Sequence, residues 1–360
     1  MTALRDGLIA RIARLGPITL ADYMAESLLH PVHGYYTTRD PLGRAGDFIT
    51  APEISQMFGE LIGLWLAQVW IDQGTPTPFV LAELGPGRGS LMADALRATR
   101  KVAGFHAAAR LHLIEASAPL RAAQARALAD HAPLFHDSLA DLPEGPLFLV
   151  ANEFFDALPI RQFRKADGAD WCERMIGVEN DRLIWGLAPP APIAALADRA
   201  AHLTPGQIVE TCAPAEAIAG DIGARIAAHG GAALIVDYGD WDSLGDTFQA
   251  LRAHQPVDPL AMPGQADLTA HVAFGPLARA ARPARAGALT PQGVFLERLG
   301  ITARAQTLAR SLSGAALDLH IAAHKRLTHP DEMGHLFRVL ALTPPAGPPP
   351  PALDPGPTCP

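Results

Sequence analysis

The spacing of apolar residues follows a helical period up to about residue 78 and then changes character. Ile9, Ile12 and Leu15 fall on one helical face,. Thr19 is placed to cap a second helix running to about Leu29, where His30-Pro31 stops it,. Gly34-Tyr35-Tyr36 reads as a short extended piece, and residues 37–50 as a loop with Gly43, Gly46 and Asp47. Thr50-Ala-Pro-Glu53 reads as a capping box with Pro52 near the first turn,. It opens a helix whose Ile54, Met57, Phe58, Leu61, Ile62, Trp65, Leu66, Val69 and Trp70 repeat at three and four, the mark of a buried stripe,. Gly74 ends it.

From residue 78 short apolar runs alternate with helical stretches. The runs are 79–83, 111–115, 147–151 and 233–237, and helices at about 90–101 and 119–129 separate them. Strands alternating with helices predict βαβ units and a parallel sheet, an α/β fold. Residues 336–342 read as a last strand. Residues 160–205, with Trp171 and Trp185 on strand-like segments, read as an inserted antiparallel piece. Residues 240–290, rich in Pro, Gly and His, read as a second insertion. The expected organisation is an N-terminal helical segment and lid over 1–77, an α/β domain over 78–342 with those insertions, and a tail over 343–360. Nine prolines in the tail predict disorder or polyproline helix,.

Composition narrows the function. With 360 residues and 49% apolar content, the chain can build a sizeable core,. A net charge of -8 argues against nucleic acid or an anionic membrane as partner, since both need a basic face,. Cys172, Cys212 and Cys359 fit no zinc or redox spacing, so no metal is expected and a reducing compartment is the default,. Asp6 and Arg11 interrupt the apolar run that a signal peptide would need, and no stretch is apolar for long enough to span a bilayer,. The expected location is a bacterial cytoplasm.

The segment Phe79-Val-Leu-Ala-Glu83-Leu-Gly85-Pro86-Gly87-Arg-Gly89-Ser90 carries the most chemistry. It reads as strand, glycine turn and helix at the carboxyl edge of a parallel sheet, where such folds bind ligands. A dinucleotide turn needs a third glycine where this chain has Ser90, and Glu83 would repel a pyrophosphate,. The same carboxylate would attract the ammonium of a methionine moiety. Glu115, at the end of the second strand, is placed to grip two ribose hydroxyls, and Asp137-Ser138-Leu139, after the third, to take an adenine,. Each acid alone is more often a solvated charge; acids at three successive strand ends point to S-adenosylmethionine (SAM).

The pattern resembles the MidA family of class I SAM-dependent methyltransferases. The resemblance covers roughly residues 4–342. It rests on His30-Pro-Val-His-Gly-Tyr-Tyr36, Gly46-Asp-Phe-Ile-Thr-Ala-Pro-Glu-Ile-Ser-Gln-Met-Phe-Gly-Glu60, the glycine turn, Ala151-Asn-Glu-Phe-Phe-Asp-Ala-Leu-Pro159, Asp237-Tyr-Gly239, Ala266-Asp-Leu-Thr-Ala-His-Val272, Gln292-Gly-Val-Phe-Leu296 and Met333-Gly-His-Leu-Phe337. It implies a Rossmann-like methyltransferase sheet and methylation of a protein arginine, in the mitochondrial members on a quinone-module core subunit of respiratory complex I. Asp240 and Ala273 depart from the family pattern, which leads one to expect histidine and aspartate there.

Arginine is a poor nucleophile because its guanidinium is delocalised and protonated. Carboxylates can hold the planar fork and localise its charge, freeing one nitrogen. Glu153 and then Asp156, after the fourth strand, are the candidates for that grip, with Phe154 or Phe155 stacking on the plane,. Asn152 is assigned to the donor. His271, near Asp267, is a candidate proton acceptor,. Asp47, Phe48 and Glu53 are expected in a lid. The bland alternatives are that Asp156 and Glu53 cap helices, that the two phenylalanines are core, and that His271 is structural. Two further functions compete: an assembly chaperone that binds SAM without catalysis, and a small-molecule methyltransferase. A nicotinamide oxidoreductase is disfavoured by Ser90 and Glu83.

Overall fold

The computed structural model describes residues 2–38, 50–200, 202–242 and 244–356. The chain divides into two compact units. Unit 1 comprises Met1–Phe48, Asp156–Ala215 and Asp242–Ala273; unit 2 comprises Ile49–Phe155, Glu216–Trp241 and Phe274–Pro360. This partition differs from a boundary at residue 77. The helix carrying Trp65 and Trp70 goes with the sheet because its apolar stripe shares one core with Phe79, Leu81, Phe148 and Val150,.

Unit 2 holds the α/β sheet. In chain order we label α1 (Ala51–Ile54), α2 (Gln56–Asp72), β1 (Phe79–Leu84), α3 (Ser90–Thr99), β2 (Ala109–Ile114), α4 (Ala118–Ala127), β3 (Leu134–His136), β4 (Leu147–Asn152), β5 (Gly231–Asp240), β6 (Arg285–Ala286) and β7 (Phe337–Thr343). The strand order is β6-β7-β5-β4-β1-β2-β3. The five strands from β5 to β3 run parallel, and β7 pairs antiparallel with β5. Every residue of β1 and β4 is buried. A strand covered on both faces reads as a continuous apolar run, which is how these strands stand in the sequence. The order steps outward in both directions from β1 and β4, so their carboxyl ends flank the switch point where open α/β sheets bind ligands.

Three local expectations are corrected. Residues 50–72 form two helices, with Ser55 extended between them and its hydroxyl capping the second at Met57 N. Thr50 makes no side-chain cap, and Glu53 turns to Ser90 rather than back to residue 50. Tyr35–Thr38 is a helical turn and not extended, held by the Thr38 hydroxyl donating to Gly34 O at 2.7 Å. The proline-rich tail is packed over its described part, to residue 356. Leu353 is buried in the main core, Trp65 Nε1 donates to Pro351 O at 3.0 Å, and Asp354 pairs with Arg298. Proline denies a segment its own helix or central strand, but it leaves carbonyls free to accept from a neighbour.

Unit 1 is built on an antiparallel sheet. Trp171–Glu179 pairs with Arg161–Lys165, with Arg182–Leu187 and with Ile18–Thr19, and Ile208–Thr211 lies beside Arg161–Lys165. The N-terminal helices Ala3–Leu15 and Leu20–Leu29 bury Leu8, Ile12, Tyr23 and Met24 with Ile160, Ile176 and Leu268. Thr19 and Asp22 close the capping box of the second helix, and His30 follows its end. A smaller sheet pairs Gln249–Arg252 with Asp267–Thr269.

Candidate functional site

The end of β1 is shaped for a ligand held by backbone. Gly85 and Gly89 have φ of 60° and 84°, the left-handed region that side chains disfavour,. A Cβ on Gly85 would stand 2.9 Å from the Phe154 ring. Gly85 N donates to Ile114 O at 3.0 Å and Gly89 N to Pro86 O at 2.8 Å, so Gly85, Pro86, Gly87 and Gly89 form a defined turn into α3.

Glu83 precedes this turn. It is buried, and its Oε2 has no hydrogen-bond partner among the described residues. Burial, and then the charge of Glu115, push its carboxyl up to about 8,. A carboxylate in that position is costly until a cation arrives. Glu115, just past β2, is also raised by burial. The Ser117 N–H at 2.8 Å and the Gln124 amide at 3.1 Å, with the Arg121 charge, act the other way.

Beyond β3, Asp137 is exposed and paired with Arg121. Ser138 caps a short 3-10 turn that contains the buried Leu139. The structure thus gives Asp137 a partner that the sequence did not suggest. Arg121 also donates to Glu115 O at 2.6 Å and His136 O at 2.9 Å, joining the ends of β2 and β3.

Beyond β4, Asn152 is buried, its Nδ2 donating to Glu153 Oε1 at 3.3 Å while Oδ1 has no partner among the described residues. Glu153 has φ of 51°. Its N–H donates to Val236 O, and its Oε1 accepts from Ala51 N at 2.9 Å, so the carboxylate caps α1. Phe154 and Phe155 meet edge to face, and Phe155 N donates to the buried Asp237 at 3.0 Å. Phe155 is core; Phe154, half-buried, lines the glycine turn. Glu53 accepts from the Ser90 hydroxyl and lies 3.7 Å from Arg88.

Asp156 and His271 belong to unit 1. Ala270 N donates to Asp156 O at 3.0 Å and His271 N to the Thr247 hydroxyl at 2.9 Å, so their two segments are joined. No helix starts at Asp156. Tyr36 donates to Asp267 at 2.7 Å, and burial followed by the charges of Asp267 and Asp156 raises its hydroxyl well above 10. Burial lowers the His271 imidazole, favouring its neutral form,. Asp47 and Phe48 lie outside the described residues.

Two residues were missed by sequence reasoning. Tyr36 was given no role, although an aromatic hydroxyl beside two acids has chemistry of its own. Gln124 left a readable signal: one amide between Leu120 and Leu128 on the inward stripe of α4.

Residues 61–292 match the family model described as "Putative S-adenosyl-L-methionine-dependent methyltransferase". The mouse protein arginine methyltransferase NDUFAF7, mitochondrial, is 38% identical over 96% of this chain and 85% of its own length. Its human counterpart is 37% identical over 96% and 84%. A COG1565 superfamily member from Burkholderia thailandensis, solved with S-adenosyl-homocysteine bound, is 29% identical, with a TM-score of 0.81 over 95% of this chain and 92% of that one. The expectation of a bacterial cytoplasmic location is corrected here: the curated relatives are named as mitochondrial proteins. Among the described residues no helix is long and apolar enough to cross a membrane.

Proposed function

The chain belongs to the family of S-adenosyl-L-methionine-dependent methyltransferases, and from that premise we propose that it methylates an arginine side chain of a protein substrate, a quinone-module core subunit of respiratory complex I. The observation that carries the reading is Glu83, a buried carboxylate with an oxygen that has no partner among the described residues, directly behind a left-handed glycine turn. That arrangement suits a cation and repels a diphosphate.

The residues present fit the donor. Glu83 with Gly85, Pro86, Gly87 and Gly89 would hold its methionine end, Glu115 its ribose hydroxyls, and Asp137, Ser138 and Leu139 its adenine. Asn152 offers a buried carbonyl oxygen without a partner among the described residues. SAM, when bound, supplies an electrophilic methyl group on a sulfonium, and its transfer is an in-line displacement in which positioning dominates.

The chain's own residues then have two tasks. Glu153, its carboxylate oriented by the Ala51 N–H and the Asn152 amide, grips the guanidinium and draws its charge to one side. Phe154 supplies an aromatic plane for stacking. The proton that the guanidinium must lose leaves to solvent as the C–N bond forms.

The test is incubation of the purified protein with labelled SAM and the isolated complex I subunit, followed by analysis for methylarginine. Label on arginine supports the reading. Label only on another residue type, or on small molecules alone, would sink it.

A further inference from the structure

We propose that Gln124 is a positioning residue for the methyl donor, a clamp tying the glycine turn after β1 to the acid after β2. The inference rests on the donor-site reading above. Gln124 is fully buried in α4. Its Nε2 donates to Gly87 O at 2.7 Å and to Glu115 Oε2 at 3.1 Å. Both amide hydrogens are used, one on each side of the crevice. The amide orientation is determined, because the reverse would aim Oε1 at two acceptors. Oε1 itself has no partner among the described residues.

Packing does not account for this residue. Leucine, present four positions away on either side, would fill similar volume without burying an unpaired oxygen,. The donated bonds do account for it. Glu115 has one oxygen held by Ser117 N and the other by Gln124. Its rotamer is therefore set before any ligand arrives, and the bonds favour the ionised carboxylate against the burial that disfavours it,. The same amide fixes the Gly87 carbonyl, so the turn assigned to the methionine end and the acid assigned to the ribose move as one piece. Gly89 closes over the same side chain, an added Cβ there meeting Gln124 Cα at 3.5 Å and Cγ at 3.6 Å.

Calorimetric titration with S-adenosylhomocysteine, repeated from about pH 6 to about pH 8, tests the inference on the wild type, Gln124→Leu and Gln124→Glu. Circular dichroism and ligand-free melting report folding. Gln124→Leu is expected to bind about tenfold more weakly, the loss of one useful hydrogen bond. Its affinity should also fall at a higher pH on acidification, because Glu115 has lost a donor that favoured its charge. Gln124→Glu should be weakest at high pH, where its carboxylate faces Gly87 O and Glu115, and should close part of its deficit relative to wild type as that group protonates. Folded variants with wild-type affinity and pH profile would overturn the inference alone. So would a deficit in Gln124→Glu that is the same at every pH. A wild type that bound no S-adenosylhomocysteine would overturn the donor-site reading, and the inference with it.

Discussion

The Glu153 carboxylate accepts the backbone N–H of Ala51 at 2.9 Å, joining the carboxyl end of β4 to the first turn of α1. The residue singled out for the acceptor arginine is thus also the N-terminal cap of the helix that carries Glu53. Capping and gripping both need an oxygen, but only gripping needs a negative charge.

That difference separates the roles by mutation. Glu153→Gln keeps an amide oxygen for Ala51, so the melting temperature should move little while methyl transfer falls by about a hundredfold or more. Glu153→Ala should lose the same activity and also about 1 kcal/mol of stability. Wild-type turnover in Glu153→Gln would remove the residue from the chemistry and leave it as a cap.

Glu83 makes donor affinity depend on pH. Its carboxyl sits at about 8 in the folded protein against an ordinary 4.5. In the ligand-free protein a raised value means stability that is full below 4.5 and declines as pH rises toward 8,. A cationic ligand favours the ionised form, so binding near neutral pH should release a proton. Calorimetry in buffers of different ionisation enthalpy reads that release directly. In Glu83→Gln the release should vanish, and the ligand-free protein should be less destabilised by raising pH.

Gly85→Ala should weaken SAM binding by tenfold or more, on the order of the strain cost of 1–3 kcal/mol for a left-handed non-glycine residue. The added Cβ also presses on the Phe154 ring. Equal affinity in the variant would show that the turn can relax, and that its φ is not what the ligand requires.

Glu60 ties α2 to α3 and to the helix Ile301–Ala309. It is buried and receives Arg304 through Nε at 2.7 Å and Arg97 through Nη2 at 2.9 Å. Burial alone would raise its carboxyl; the bonds from Arg304 and Arg97 outweigh that and hold it below 4.5. The stability it contributes is therefore present above the ordinary carboxylate range and lost as pH falls through the lowered value. Glu60→Gln should cost roughly 1–2 kcal/mol near neutral pH, a figure kept small because both guanidiniums are partly solvated, and should flatten the acid limb of the stability curve.

The packed tail gives a test that needs no ligand. Leu353→Ala should destabilise by about 2–5 kcal/mol, the range for emptying a buried leucine site. A change under half of that would mean residues 351–354 contribute little to the core.

The α/β class and the donor were legible because they rest on local signals. Strands β1 and β4 stand as apolar runs interrupted only by Glu83 and Asn152 near their carboxyl ends, and the Glu83-to-Ser90 string disfavours a diphosphate by its own residues. The tail was misread because proline content reports what a segment cannot form, not what its carbonyls can accept. The capping box at Thr50–Glu53 was misread because the group that caps α1 comes from Glu153, 102 positions away. Gln124 was passed over for a related reason: a polar residue within an apolar stripe gains meaning only when Gly87 and Glu115 are seen to share it. Asp156 and His271 were read as one group with Glu153, yet the chain assigns them to unit 1 and Glu153 to unit 2.

The left-handed backbone at residue 153 sets two selection pressures against each other. Glycine there would relieve the torsion but lose the cap on α1, so the two effects on thermal tolerance oppose each other,. It would also delete the carboxylate. Laboratory evolution that screened only for heat resistance should therefore tolerate glutamine, which keeps the cap, at this position, and a screen for methyl transfer should drive it back to glutamate.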